Sequence, residues 1–198
     1  MKFYAVRNGR QIGIFTDWNE CKRLVTGYKG AEFKGFVNRD DAVAYMNGAE
    51  RDEHEIKQSP DTAVAYVDGS YNVKTKIFAC GVVILHNGEE KQFNESFDDP
   101  ELASMRNVAG EINGSMAAMS YCAEHGIKNL HIFYDYAGIE YWCTGAWKTN
   151  KSGTIDYKRF YDEMKNTVNI TFHKVKGHSG DKYNDMADAL AKAAAGIV

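Results

Sequence analysis

Apolar and polar positions alternate through Phe3-Tyr4-Ala5-Val6-Arg7 and again through Ile12-Gly13-Ile14-Phe15, on either side of the turn pair Asn8-Gly9. That spacing predicts a β-hairpin. A helix is expected from about Asp17-Trp18, with Thr16 or Asp17 as its cap and Gly27 near its end. Ala31 to Phe36 reads as a third strand, and Asp40 to Met46 as a second helix stopped by Asn47-Gly48. The stretch 49–61 then carries one large apolar residue, many charges and a Ser-Pro, so it reads as a solvated tether.

From residue 62 the pattern gives strand, strand, strand, helix, strand, helix, helix, strand, helix. The run Ala63 to Asp68 ends its strand on an acidic residue; Phe78 to His86 and Glu90 to Phe97, joined at Asn87-Gly88, read as an antiparallel hairpin. Glu101 to His125 reads as one long helix closed by Gly126. Leu130 to Tyr134 and Val168 to Lys174 each follow helical segments, which implies parallel crossovers onto a mixed sheet. The class is α/β, and the expected division is 1–48, a tether at 49–61, and 62–198.

Composition narrows the context. At 198 residues, 44% hydrophobic with two prolines, the chain can bury one good core and a small second one. Cys21, Cys80, Cys122 and Cys143 are scattered without a CxxC pair or a signal segment, which favours free thiols in a reducing compartment, by default the cytoplasm. No apolar run reaches the ~18 residues that span a bilayer, so no membrane role is expected. Charge is uneven: residues 1–48 hold eight Lys/Arg and five Asp/Glu, the rest 16 and 22. A basic head on an acidic body fits a polyanion-handling module beside a unit that concentrates carboxylates.

Four carboxylates stand out: Asp68 and Asp135 after strand-like runs, Glu111 within a helical run, and Asp188 in a C-terminal helix after Lys176-Gly177-His178-Ser179-Gly180. In α/β sheets ligands gather at the carboxyl ends of strands. Unpaired carboxylates brought together repel, so a site that collects them needs cations, and two hard divalent ions would serve. Two ions roughly 3.5–4 Å apart could stabilise both the attacking and leaving oxygens of a phosphodiester hydrolysis. A histidine titrating near neutrality, such as His178, could protonate the leaving group or help a product ion depart.

Residues 62–196 resemble the catalytic domain of type 1 ribonuclease H through Asp68-Gly69-Ser70, Asn107-x3-Glu111, Tyr134-Asp135, Trp147-Lys148-Thr149, Val175-Lys176-Gly177-His178 and Asn184-x3-Asp188-x-Leu190-Ala191. Residues 2–47 resemble the small hybrid-binding, viroplasmin-like domain found at the N terminus of many such enzymes. There the carrying residues are Phe3-Tyr4-Ala5-Val6, Gly9-Arg10, Gly13-Ile14-Phe15, Trp18-Asn19-Glu20-Cys21 and Phe33-Lys34-Gly35-Phe36.

The resemblance implies a ribonuclease H-like mixed five-stranded sheet with flanking helices, preceded by a small three-stranded α/β domain. It implies Asp68, Glu111, Asp135 and Asp188 as ligands of two Mg²⁺ ions, with Mn²⁺ as a possible substitute, and His178 beside them. Asn107 and Asn184 would touch the substrate backbone; Tyr4, Trp18, Phe33 and Lys34 would line the hybrid surface. Read from the residues alone, exposed aromatics beside Arg7, Arg10 and Lys34 would be stacking platforms with phosphate contacts. The implied partner is an RNA–DNA hybrid, and nothing points to an obligate protein partner. Tyr136 stands where a serine is common, and the segment Tyr141 to Trp147 lacks the lysine-rich protrusion of some relatives, which would shift binding towards residues 1–48.

Other readings remain. Trp18 and Phe33 could be core residues, as Phe3, Phe15 and Phe36 are expected to be; Met105, Met116, Met119 and Ala193-Ala194-Ala195 are packing or helix propensity. The function implied is endonucleolytic hydrolysis of the RNA strand of hybrids. The rivals are a non-catalytic nucleic-acid-binding scaffold and a same-fold nuclease acting on double-stranded RNA.

Overall fold

The computed structural model describes residues 2–36, 39–46, 56, 59–175 and 181–197. It divides into two units, Met1–Lys57 and Gln58–Val198.

In the first unit, β1 (Phe3–Asn8) is central in a three-stranded antiparallel sheet of order β2-β1-β3, with β2 Gly13–Phe15 and β3 Glu32–Phe36. The helices are α1 (Trp18–Val25) and α2 (Arg39–Met46). Asp17 caps α1, its carboxylate accepting from the Asn19 amide at 2.9 Å. Val6, Phe15, Cys21 and Val25 form the small core. Phe3 and Phe36, expected in that core, are only partly covered.

The second unit is built on a five-stranded sheet of order β6-β5-β4-β7-β8, where β4 is Thr62–Tyr71, β5 Phe78–His86, β6 Glu89–Phe97, β7 Asn129–Tyr134 and β8 Asn169–Lys174. The hairpin strands pair antiparallel, while β4, β7 and β8 run parallel. Asn87 and Gly88, both at positive φ, make the expected tight turn between β5 and β6. The helices are α3 (Asn107–Glu124), α4 (Gly138–Thr144), α5 (Ser152–Met164) and α6 (Lys182–Ala194). The four cysteines are free and buried. Among the described residues no helix is long and apolar enough to cross a membrane.

Backbone contact at glycines sets where the helices sit. A Cβ on Gly110 would lie 2.0 Å from the Ala79 carbonyl oxygen, and one on Gly81 would lie 2.0 Å from that of Ala187. Thus α3 and α6 press directly on the sheet from opposite faces: a Cβ on Gly69 would point into α3, and Gly69 pairs with Cys80, one residue from Gly81, whose Cβ would point into α6. The main apolar cluster joins Ala65, Val67, Val82, Ile84, Met119 and Ile132 with residues of α3 and α5.

Two expectations need correction. The segment Glu101 to His125 is not one helix: a 3₁₀ turn at Leu102–Met105 is separated from α3 by Arg106 at φ 54° and ψ −133°. A non-glycine residue there costs on the order of 1–3 kcal/mol and persists only where the surroundings impose it. No Gly or Pro marks the break. Nor does Asp68 end its strand. It lies within β4, whose antiparallel pairing with β5 continues to Tyr71, but just beyond Tyr66, the last residue paired with β7. Of the expected tether at 49–61, most lies outside the described residues; Asp61 is bonded to the start of β7, its carbonyl accepting from the Lys128 and Asn129 amides.

Candidate active site

Three of the four singled-out carboxylates meet where β4 outruns β7. Oxygens of Asp68, Glu111 and Asp135 lie within 4.8 Å of one another, a spacing at which one cation could be held. Asp68 comes from β4, Asp135 follows the last residue of β7, and Glu111 sits one turn into α3.

The electrostatics are those of carboxylates crowded together out of water. Burial, then Asp135 and Asp188, push the Asp68 carboxyl up to about 7, against the Gly69 amide and Lys192, which favour its charged form. The Gly69 amide donates to Asp68 at 2.7 Å. Glu111, 1% exposed, is held well above the ordinary carboxyl range by burial and then by Asp135 and Asp68. Asn107 donates to its Oε1 at 3.3 Å, while Oε2 is buried without a hydrogen-bond partner. A buried carboxylate oxygen unpaired among acidic neighbours fits a cation as its partner, and an all-oxygen donor set suits a hard divalent ion.

Asp188 is not in the triad. Its Oδ2 takes an ion pair from Lys192, one turn on, at 2.6 Å, although it is near enough to raise Asp68. The neighbouring Asp181 is committed as the cap of α6, accepting from the Tyr183 and Asn184 amides at 3.0 Å. Asn184 itself is 3% exposed with Oδ1 buried, so it does not present a surface for substrate in this form. His178 lies outside the described residues.

One feature was missed in the sequence. Beside Asn107 opens a cavity of about 380 Å³ whose lining includes Arg106, Tyr136, Lys148, Asn150 and Lys151. Its cations come from two segments distant in sequence, Arg106 from the turn before α3 and Lys148 and Lys151 from the loop between α4 and α5.

In the first unit, Trp18 lies between Tyr4 and Phe33, with ring centroids 5.2 and 6.1 Å away, and Trp18 and Phe33 are each 41% exposed. They form a half-open aromatic surface rather than a core. Lys34 is exposed, its ammonium 5.7 Å from the Phe36 ring. Arg7 and Arg10 do not extend that surface. Arg7 stacks on Tyr45, and Arg10 is spent on the carbonyls of Arg23 and Thr26 at the end of α1.

The fold is thus an α/β protein of sheet order β6-β5-β4-β7-β8 whose clustered carboxylates are suited to holding divalent cations. The ribonuclease H family model matches residues 60–196, and the model described as the ribonuclease H1 N-terminal domain matches residues 2–46. Ribonuclease H of Ruthia magnifica is 52% identical over 142 residues, 66% of this chain and 93% of that protein. Mouse ribonuclease H1 is 23% identical over 252 residues, covering 96% of this chain and 88% of that one. Among solved structures, RNase H1 of Halobacterium salinarum superposes with a TM-score of 0.57 at 23% identity, over 67% of this chain and 96% of that one. LC11 RNase H1, solved in complex with an RNA/DNA hybrid, gives 0.53 at 14%, over 67% and 98%. The chain belongs to the ribonuclease H family, as a nucleic-acid-binding hydrolase that carries the family's N-terminal domain.

Proposed function

We propose that the chain is an endonuclease that hydrolyses the RNA strand of RNA–DNA hybrids at a divalent-metal centre held by Asp68, Glu111 and Asp135, with Asp188 as the fourth ligand. The observation that carries this reading is the convergence of three carboxylates within 4.8 Å, two of them made basic by burial and mutual repulsion. When bound there, Mg²⁺ ions, or Mn²⁺ in their place, would activate water and neutralise charge developing on the scissile phosphate.

The protein's own part is positioning. The Gly69 amide and the Asn107 side chain aim the Asp68 and Glu111 carboxylates. Asp188, paired with Lys192 one turn on, would join them as the fourth residue holding the ion. His178 is assigned to proton delivery at the leaving oxygen. Arg106, Lys148 and Lys151 around the adjoining cavity offer cations to backbone phosphates, and Asn107 contacts the strand next to the site. Discrimination of RNA from DNA would rest on the 2′-hydroxyls.

Residues 1–48 are assigned to hybrid binding, 49–61 to the linker and 62–198 to catalysis. On the first of these, Tyr4, Trp18 and Phe33 supply a stacking platform and Lys34 a phosphate contact. The relatives named ribonuclease H1 and the hybrid-bound LC11 enzyme support the choice of substrate. Four buried free thiols are consistent with a reducing compartment such as the cytoplasm.

The test is incubation with end-labelled hybrid, RNA duplex and DNA duplex of one sequence, with Mg²⁺, Mn²⁺ or EDTA. Cleavage of the RNA strand of the hybrid alone, only with metal, is expected. No cleavage of any substrate would make the chain a binding scaffold, and equal cleavage of the RNA duplex a same-fold nuclease of other specificity.

A further inference from the structure

The strand that delivers Asp135 ends on a tyrosine tied to the next helix. Tyr134, the last residue of β7, is fully buried, and its hydroxyl donates to Oε2 of Glu140 in the first turn of α4. Between the two lies the turn Asp135-Tyr136-Ala137. It carries one carboxylate of the triad, and the Tyr136 backbone amide that favours the charged form of Glu111. The two residues therefore close a short loop around two of the groups that shape the metal site.

The same turn is pinned elsewhere. Tyr157 on α5, also fully buried, donates to the Ile139 carbonyl at 3.1 Å, and the Ile139 amide donates to the Tyr136 carbonyl at 3.1 Å. A Cβ on Gly138 would stand 2.4 Å from the Tyr136 ring, which packs on Trp142 and Trp147. Packing alone does not call for the Tyr134 hydroxyl, because phenylalanine would fill nearly the same space. The hydroxyl and its carboxylate acceptor add direction, and a bond to an ionised acceptor is about twice as strong as a neutral one.

We propose that the Tyr134–Glu140 hydrogen bond is a clamp that sets the position of Asp135 and of the Tyr136 amide, making Tyr134 and Glu140 positioning residues for metal binding. This rests on the metal-site reading above. Neither residue is a ligand; they act through the turn. Ligands must be held to within fractions of an ångström by the groups behind them, so loosening the turn lowers affinity for the ion before it lowers stability enough to unfold the chain.

The experiment titrates Mn²⁺ into the full-length chain by calorimetry and by the loss of the free-ion paramagnetic resonance signal, alongside melting curves and hybrid cleavage. Tyr134→Phe and Glu140→Ala should each weaken Mn²⁺ binding roughly 10-fold, the lower end of what losing an outer-shell partner costs, whereas Glu140→Gln, which keeps an oxygen acceptor, should stay within about twofold. The double variant Tyr134→Phe/Glu140→Ala should be no worse than either single one, since both remove one bond. KM for hybrid should hold, while kcat falls at low Mn²⁺ and recovers at high. Wild-type Mn²⁺ affinity in Tyr134→Phe, which keeps the buried volume, would overturn the clamp whatever the melting curves do. A wild-type chain that binds no Mn²⁺ would overturn the metal-site reading, and the clamp with it.

Discussion

Gly69 of β4 and Glu111 of α3 are in backbone contact: a Cβ on Gly69 would lie 2.4 Å from the Glu111 nitrogen and 2.1 Å from the Asn107 carbonyl oxygen. Carboxylates do not assemble by attraction, and here the assembly is enforced by main chain. The glycine next to Asp68 lets α3 descend until Glu111 stands beside it, and Gly110 does the same against Ala79 on β5. Burial of Val67, Ile112 and Met119 supplies the free energy that offsets the repulsion.

Gly69→Ala and Gly110→Ala should therefore be far more damaging than their size suggests. Overpacking a core with one methyl ordinarily costs about 1–3 kcal/mol, and here the obstacle is backbone that cannot rotate away, so a loss above about 3 kcal/mol is expected. Urea denaturation measures it. A loss below about 1 kcal/mol would show that α3 can lift off the sheet at small cost.

Removing a ligand should separate activity from stability. Asp68→Asn, Glu111→Gln and Asp135→Asn should each reduce hybrid cleavage by more than tenfold, over ~1.4 kcal/mol in barrier, while hybrid binding persists. With metal chelated, Asp68→Asn should melt higher than wild type at neutral pH, because the repulsion from Asp135 is gone. A variant with wild-type rate would remove that residue from the site.

The pH dependence follows from the same shift. Asp68 titrates at about 7 in the folded chain against an ordinary 3.8. Between those values the folded chain keeps a proton that the unfolded chain has released, so the metal-free protein loses stability as pH rises through that window. The penalty is complete above pH 7 and on the order of 4 kcal/mol, about 1.4 kcal/mol for each pH unit between the two values. Metal reverses the sign: binding needs the carboxylates ionised, so affinity should climb with pH until about 7. Melting curves in EDTA and in Mg²⁺ from pH 4 to 8.5 should diverge accordingly.

The element order was readable because each element carries its own local signal: Asn87-Gly88 at a hairpin turn, Gly126 after a helix, alternation in β1. Asp68, Glu111 and Asp135 were readable as candidates from residue type and context alone. The break at Arg106 was not, since no glycine or proline announces its positive φ. The destinations of Arg7 and Arg10 were hidden as well. Which cation meets solvent and which caps a helix depends on partners distant in sequence, Tyr45 for one and the end of α1 for the other.

Asp188 and Lys192 make a separate prediction. Because Asp188 is held by Lys192 and stands outside the triad, Asp188→Asn should be milder than the other three, with most of its loss recovered at high metal concentration. A greater loss from Asp185→Asn than from Asp188→Asn would move the fourth ligand to residue 185.

The last prediction concerns residues 1–48, which should supply affinity rather than chemistry. Trp18 is sandwiched between Tyr4 and Phe33 yet 41% exposed, so its ring is ordered without being hidden. A base stacked on it would gain about 1–3 kcal/mol. Trp18→Ala in the full chain should thus raise KM for hybrid roughly 5- to 100-fold with kcat at saturation little changed, since a second binding site raises the local concentration of substrate and touches no reacting atom. Lys34→Ala should weaken binding more modestly and flatten its salt dependence by about one phosphate contact. Binding titrations of wild type and both variants against hybrid, RNA duplex and DNA duplex at several salt concentrations measure these effects. Affinities unchanged in both variants for all three nucleic acids would leave the aromatic surface to another role.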